Sequence, residues 1–95
     1  MKPPQEAANM ARVLMYCTAS CPFCQAAERL LAVKGVRDIE RVRVDQEPAR
    51  RAEMMQRSGQ RTVPQIWIGG RHVGGCDELH ALESAGKLDA LLGAA

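Results

Sequence analysis

The sequence predicts an α/β domain, a four-stranded mixed sheet flanked by helices on both faces. Three observations carry this. Short apolar runs alternate with longer stretches of helical spacing. The second strand follows the first across a helix-length crossover, which makes that pair parallel, whereas a Gly-Gly turn late in the chain closes an antiparallel hairpin. The chain has 95 residues, 46% apolar and 25% charged, enough for one domain with a modest core.

The first strand spans residues 12–16. Its continuous apolar run, Val13-Leu14-Met15-Tyr16, suits a strand covered on both faces. A helix then opens at Cys21-Pro22-Phe23-Cys24, because Phe23, Ala26, Ala27, Leu30 and Leu31 recur at spacings of three and four. Thr18 and Ser20 offer side-chain oxygens near its start, and Pro22 suits a first turn where a missing N–H costs nothing. Gly35 stops the helix, with Lys34 in a last turn whose dipole favours a cation. The second strand covers 39–45, Val42 and Val44 on one face and Arg41 and Arg43 on the other. Glu47-Pro48 opens a second helix over 49–58 that Gly59 ends. A third strand at 65–68, the turn Gly69-Gly70 and a fourth strand at 71–74 form the hairpin. A third helix starts at Cys76 or Asp77 and runs to 84, Gly86 breaks it, and a short last helix covers 88–92. This order is thioredoxin-like. Residues 1–11, with Pro3-Pro4, read as an extension ahead of a domain at 12–95.

Composition excludes several classes. A net charge of +2, with one Phe, one Tyr and one Trp, gives neither a basic patch nor a stacking surface for nucleic acid. No apolar run reaches the length of a membrane span, and the N-terminus lacks the apolar core of a signal peptide. A cytoplasmic protein is the expectation, and there a C-x-x-C pair is catalytic or metal-binding more often than structural.

The chemistry is expected at that pair. A cysteine at a strand-to-helix junction lies beside the unpaired N–H groups and positive dipole end of the helix, which favour a thiolate. Cys21 is read as the nucleophile, near the surface, and Cys24, one turn on, as the resolving thiol of a thiol–disulfide oxidoreductase. Stabilising the thiolate raises the reactive fraction but lowers intrinsic nucleophilicity, with a Brønsted slope of about 0.4–0.5, so the gain falls mainly on Cys21 as a leaving group. Metal binding is the rival reading. Structural zinc needs four closed ligands, however, and no second pair stands at matching spacing. Thr62-Val63-Pro64 precedes the third strand; a cis bond there would offer the Val63 N–H and C=O to an extended peptide. In Gly74-Gly75-Cys76-Asp77, glycines before a helix start expose N–H groups suited to a carboxylate, and Asp77 can accept from an ammonium; the same tetrapeptide also reads as a plain loop and cap. His72 and His80 lack ligand spacing and read as ordinary boundary residues.

Taken together, C-P-F-C at 21–24, T-V-P at 62–64 and G-G-C-D-E-L at 74–79 resemble the dithiol glutaredoxins over nearly all of residues 12–92. The resemblance implies a thioredoxin fold, a cis Pro64, and glutathione as reductant and co-substrate for glutathionylated or disulfide-containing proteins; no tightly bound cofactor is expected, and nothing in the sequence demands more than a monomer. It implies that Cys21 attacks the mixed disulfide and carries the glutathionyl group, which a second glutathione or Cys24 releases. By position, Thr62 and Val63 would pair with the glutathione backbone beside Pro64. Gly75, Cys76 and Asp77 would hold its γ-glutamyl end, and the Phe23 ring would flank its sulfur. Phe23 replaces a commoner Tyr. Thr18 stands where many relatives have Lys; Arg61, and more weakly Arg51, would cover that lost cation. Cys17 is expected as a small buried filler. Some glutaredoxins hold a [2Fe–2S] cluster between two chains and two glutathiones, but Pro22 stands where cluster-holding relatives more often have Gly or Ser.

Overall fold

The computed structural model describes residues 10–93. Its elements are β1 (Val13–Cys17), α1 (Pro22–Val33), β2 (Ile39–Arg43), α2 (Pro48–Ser58), β3 (Gln65–Ile68), β4 (Arg71–Gly74), α3 (Cys76–Ser84) and α4 (Leu88–Leu92). The sheet order is β2-β1-β3-β4, with β1 parallel to β2 and antiparallel to β3, and β3 antiparallel to β4. This is the expected thioredoxin-like mixed sheet.

Strand alternation divides the core into two layers. Val13, Met15, Cys17, Ile66 and Ile68 share one face and pack with Ala27 and Leu31 of α1, Leu79 of α3, and Leu88 and Leu92 of α4. Tyr16, Val42 and Trp67 turn to the other face, where Val44, just past β2, and Met54 of α2 pack with them. At the hairpin, Gly69 and Gly70 both have positive φ, +60° and +82°, the pair of left-handed conformations that a two-residue type I′ turn requires.

Several local expectations are corrected. β2 ends at Arg43 rather than 45, because the Arg43 carbonyl accepts the Gln46 and Glu47 N–H groups while its guanidinium grips Asp45 at 2.8 and 2.7 Å. Val44 stays buried, its N–H bonded to the Cys17 carbonyl at 3.0 Å. Neither Thr18 nor Ser20 caps α1; the cap is Cys21 itself. Lys34 lies one residue beyond the last turn, and its ammonium pairs with Glu83 at 3.0 Å and Asp89 at 2.8 Å, tying α1 to the end of α3 and to α4. Of the segment 1–11, residues 1–9 lie outside the described residues. Ala11 donates its N–H to the Leu92 carbonyl at 2.9 Å, and Met10 packs on the first core layer.

Candidate active site

β1 and the short 18–20 turn deliver the chain to the N-terminus of α1. The turn is held from the side by the Ala19 N–H donating to Asp45 at 3.4 Å. Cys21 is in extended conformation, and its Sγ accepts the Cys24 N–H at 3.2 Å. A sulfur acting as N-cap thus takes up one of the donors that α1 leaves unpaired, and that bond strengthens as negative charge gathers on the sulfur. Cys21 is only 8% exposed, not at the surface as the Pro22 turn suggested, because it packs in the core layer that also contains Cys24 and Cys76. Its Sγ lies 3.8 Å from the Val63 carbonyl oxygen.

Cys24 is more deeply buried, and its thiol is pushed up to about 12, first by burial and then by its hydrogen bond to Cys21 and the charge of that neighbour. Burial also raises the thiols of Cys17 and Cys76, reinforced by Glu28 and Asp77 respectively. At neutral pH these three stay protonated and are poor nucleophiles. We therefore expect iodoacetamide at pH 7 to modify Cys21 first, with Cys24 gaining reactivity only as the pH climbs toward 12; peptide mass mapping reads this directly. Equal labelling of Cys21 and Cys24 at pH 7 would contradict the asymmetry.

Beside this dithiol runs a groove of about 530 Å³. Thr62, Val63 and Pro64 form one wall, the Val63–Pro64 bond being cis as expected. Gly75, Cys76 and Asp77 form the other, and Phe23, 63% exposed on the first turn of α1, stands at the rim. Gly75 is the N-cap of α3, so Cys76 and Asp77 occupy the first helical positions, whose N–H groups have no intrahelical acceptor. Glu78 accepts the Gly75 N–H at 2.8 Å. The two walls nearly touch, since a Cβ on Gly75 would meet the Pro64 carbonyl at 3.2 Å; within the second wall, a Cβ on Gly74 (φ +118°) would meet the Glu78 side chain at 2.9 Å. Only glycine lets the α3 tip approach the Pro64 loop this closely.

Arg61 does not line the groove. Arg51 is spent on the Arg61 carbonyl, to which it donates at 3.2 Å. The groove instead includes Gln60, Gln65, His72 and Glu78, which sequence reasoning did not assign to the site. Gln65 carried a signal, a polar residue opening the apolar run Gln65-Ile66-Trp67-Ile68, yet its partners are invisible without the hairpin. His80 turns its Nδ1 to the Cys76 carbonyl at 3.0 Å, within its own helix. Among the described residues no group of three or more His, Cys, Asp or Glu side chains is placed to hold a metal ion.

A buried thiol pair at a helix tip, set against a cis-proline loop on this sheet, defines a thiol–disulfide redox protein of thioredoxin-like fold. Comparison with known proteins narrows the class. A glutaredoxin family model matches residues 13–73. The chain is 58% identical to a glutaredoxin of Pseudomonas aeruginosa over 85 residues, 90% of this chain and 100% of that protein. It is 48% identical to glutaredoxin 3 of Escherichia coli over 83 residues, 87% of this chain and 99% of that protein. A crystal structure of a buckwheat glutaredoxin–glutathione complex aligns with TM-score 0.80 at 33% identity, covering 96% of this chain and 84% of that one. The chain belongs to the glutaredoxin family, whose members are thiol oxidoreductases.

Proposed function

We propose that this protein reduces protein–glutathione mixed disulfides through Cys21, using glutathione as reductant, and reduces some protein disulfides through the Cys21/Cys24 pair. The observation that carries this reading is the placement of the Cys21 sulfur, capped by an N–H at the α1 tip and 3.8 Å from the Val63 carbonyl at the wall of the groove.

In the first step the Cys21 thiolate attacks the glutathione sulfur of the mixed disulfide. The protein thiolate leaves and takes a proton from solvent, and Cys21 keeps the glutathionyl group. A free glutathione thiolate then attacks that same sulfur, Cys21 leaves as thiolate, and glutathione disulfide departs; one free glutathione is consumed for each target thiol restored. Extended backbone of the glutathionyl group would lie along Thr62 and Val63, with the Phe23 ring beside its sulfur. Its γ-glutamyl carboxylate would meet the Cys76 and Asp77 N–H groups at the positive end of α3, and its ammonium the Asp77 carboxylate. For a protein disulfide, Cys21 attacks one sulfur and the other leaves as thiolate. Cys24 then attacks the Cys21 sulfur of this mixed disulfide, and the target's second thiolate leaves. Two glutathiones reduce the resulting Cys21–Cys24 disulfide and depart as glutathione disulfide. Two of the influences that raise Cys24 in the reduced protein, the hydrogen bond and the charge of Cys21, vanish once that sulfur is bonded. Cys24 therefore loses its proton most readily at the stage that needs it.

The reading places the protein in the cytoplasm as a monomer, with no tightly bound cofactor. No helix among the described residues is long and apolar enough to cross a membrane. The test is glutathione-coupled reduction of a glutathionylated peptide by the purified chain. Turnover that depends on glutathione is expected, and none at millimolar glutathione would sink the proposal.

A further inference from the structure

Gln65 is the one buried polar side chain among the described residues, 2% exposed. A buried amide is costly unless both its ends are bonded, and both are. Its Nε2 donates to the Thr62 carbonyl at 3.1 Å, and its Oε1 faces the His72 Nε2 at 2.8 Å. These partners fix both assignments. Only the NH₂ end can face a carbonyl, so the oxygen faces His72, and His72 must carry its proton on Nε2. The His72 ring is itself held, its centroid 4.5 Å from Trp67, which in turn packs edge-on against Tyr16 and lies under the Arg57 guanidinium.

The Thr62 carbonyl and the Val63 N–H belong to one peptide unit. Because that unit is planar and trans, its C=O and N–H point in opposite directions. Pinning the carbonyl to a buried amide therefore turns the Val63 N–H the other way, and among the described residues no acceptor takes it. Donation to the carbonyl also polarises the peptide, and donation from His72 polarises the Gln65 amide in the same sense.

We propose that Gln65 and His72 are positioning residues: a two-bond relay from His72 Nε2–H through the Gln65 amide to the Thr62 carbonyl aims and strengthens the Val63 N–H that receives the glutathionyl backbone. The proposal rests on the functional reading above and adds two residues that touch neither sulfur. The relay contributes binding shared by ground and transition states, so its loss appears in KM.

The test is steady-state reduction of a glutathionylated peptide at saturating glutathione. His72→Phe keeps a ring against Trp67 but has no donor; Gln65→Met keeps the length of the side chain but neither bond. Each should raise KM about three- to tenfold, the worth of one net hydrogen bond, with kcat held within about twofold. His72→Gln, which restores a donor without the ring, should bring KM back to within about twofold of wild type, as a role in packing alone would not. An unchanged KM in His72→Phe, or a His72→Gln no better than His72→Phe, would overturn the relay. A second readout is free of substrate: the Val63 amide proton of His72→Phe should move upfield, while amides in the middle of α1 stay put. No movement there also overturns it. Should the wild type show no turnover, the functional reading fails, and the Val63 resonance still decides the relay.

Discussion

Replacing Cys21 by serine is expected to reduce glutathione-coupled reduction of mixed disulfides to the uncatalysed background, whereas Cys24→Ser leaves it within about twofold. The first outcome follows from chemistry: a serine oxygen cannot accept the glutathionyl group, so the group-transfer step has no carrier. The second follows from geometry. The donor that supports the Cys21 sulfur is the backbone N–H of residue 24, which a side-chain substitution leaves in place. On the proposed one-thiol route, glutathione turnover does not use the buried Cys24 thiol, whose pKa burial and Cys21 push up to about 12. Reduction of a protein disulfide is different, because there an internal thiol must expel the target. We expect Cys24→Ser to slow that reaction at least about tenfold, through accumulation of a stable Cys21-linked complex. Parallel assays on the two substrate types, with mass spectrometry for the trapped complex, check both outcomes. Equal loss of mixed-disulfide activity in the two variants would refute the one-thiol route.

Trp67→Ala is expected to destabilise the fold by about 3–5 kcal/mol, measured by urea denaturation, out of the roughly 5–15 kcal/mol typical of a domain. Trp67 is buried at the centre of the smaller core layer. Its ring lies 5.3 Å from Tyr16 in an edge-on arrangement, and the Arg57 guanidinium sits 4.5 Å above it. The Tyr16 hydroxyl accepts from Arg57 at 2.9 Å and donates to Glu53, whose carboxyl is held below its ordinary range by that bond. Truncation opens a cavity against Tyr16, Met54 and Val42, which are anchored on three separate elements and cannot all collapse inward. It also removes the surface that holds His72. Trp67→Phe keeps an aromatic ring and should cost clearly less. A urea midpoint unchanged in Trp67→Ala would show that this layer contributes little. The larger layer, with α1, α3 and α4, would then carry the stability alone.

Much of this architecture was legible from the chain because it is written in short-range pattern. Alternating Val42 and Val44, the three-and-four spacing behind Phe23, and the Gly69-Gly70 pair each act through backbone geometry over a few residues. Such signals survive without knowledge of what lies opposite. The position of Cys21 at a helix tip belongs to the same class, and so does the glycine-bearing start of α3.

What lay beyond the sequence involves partners distant in the chain. Lys34 looked like a dipole partner for its own helix, but folding brings Glu83 and Asp89 within 3.0 and 2.8 Å of its ammonium. Arg61 looked like a cation of the site, yet it does not line the groove that its neighbours Gln60 and Thr62 line, and its carbonyl accepts from Arg51. Gln65 and His72 meet only because the hairpin folds back. Their bond then acts on Thr62, three residues earlier, through an amide whose orientation no local rule sets. Local sterics and periodicity determined which strands and helices form and where the thiol pair sits. Which side chains meet, how far Cys21 is buried and which peptide unit faces the groove were decided by long-range packing, because hydrogen bonds and desolvation depend on neighbours that only the closed sheet brings together.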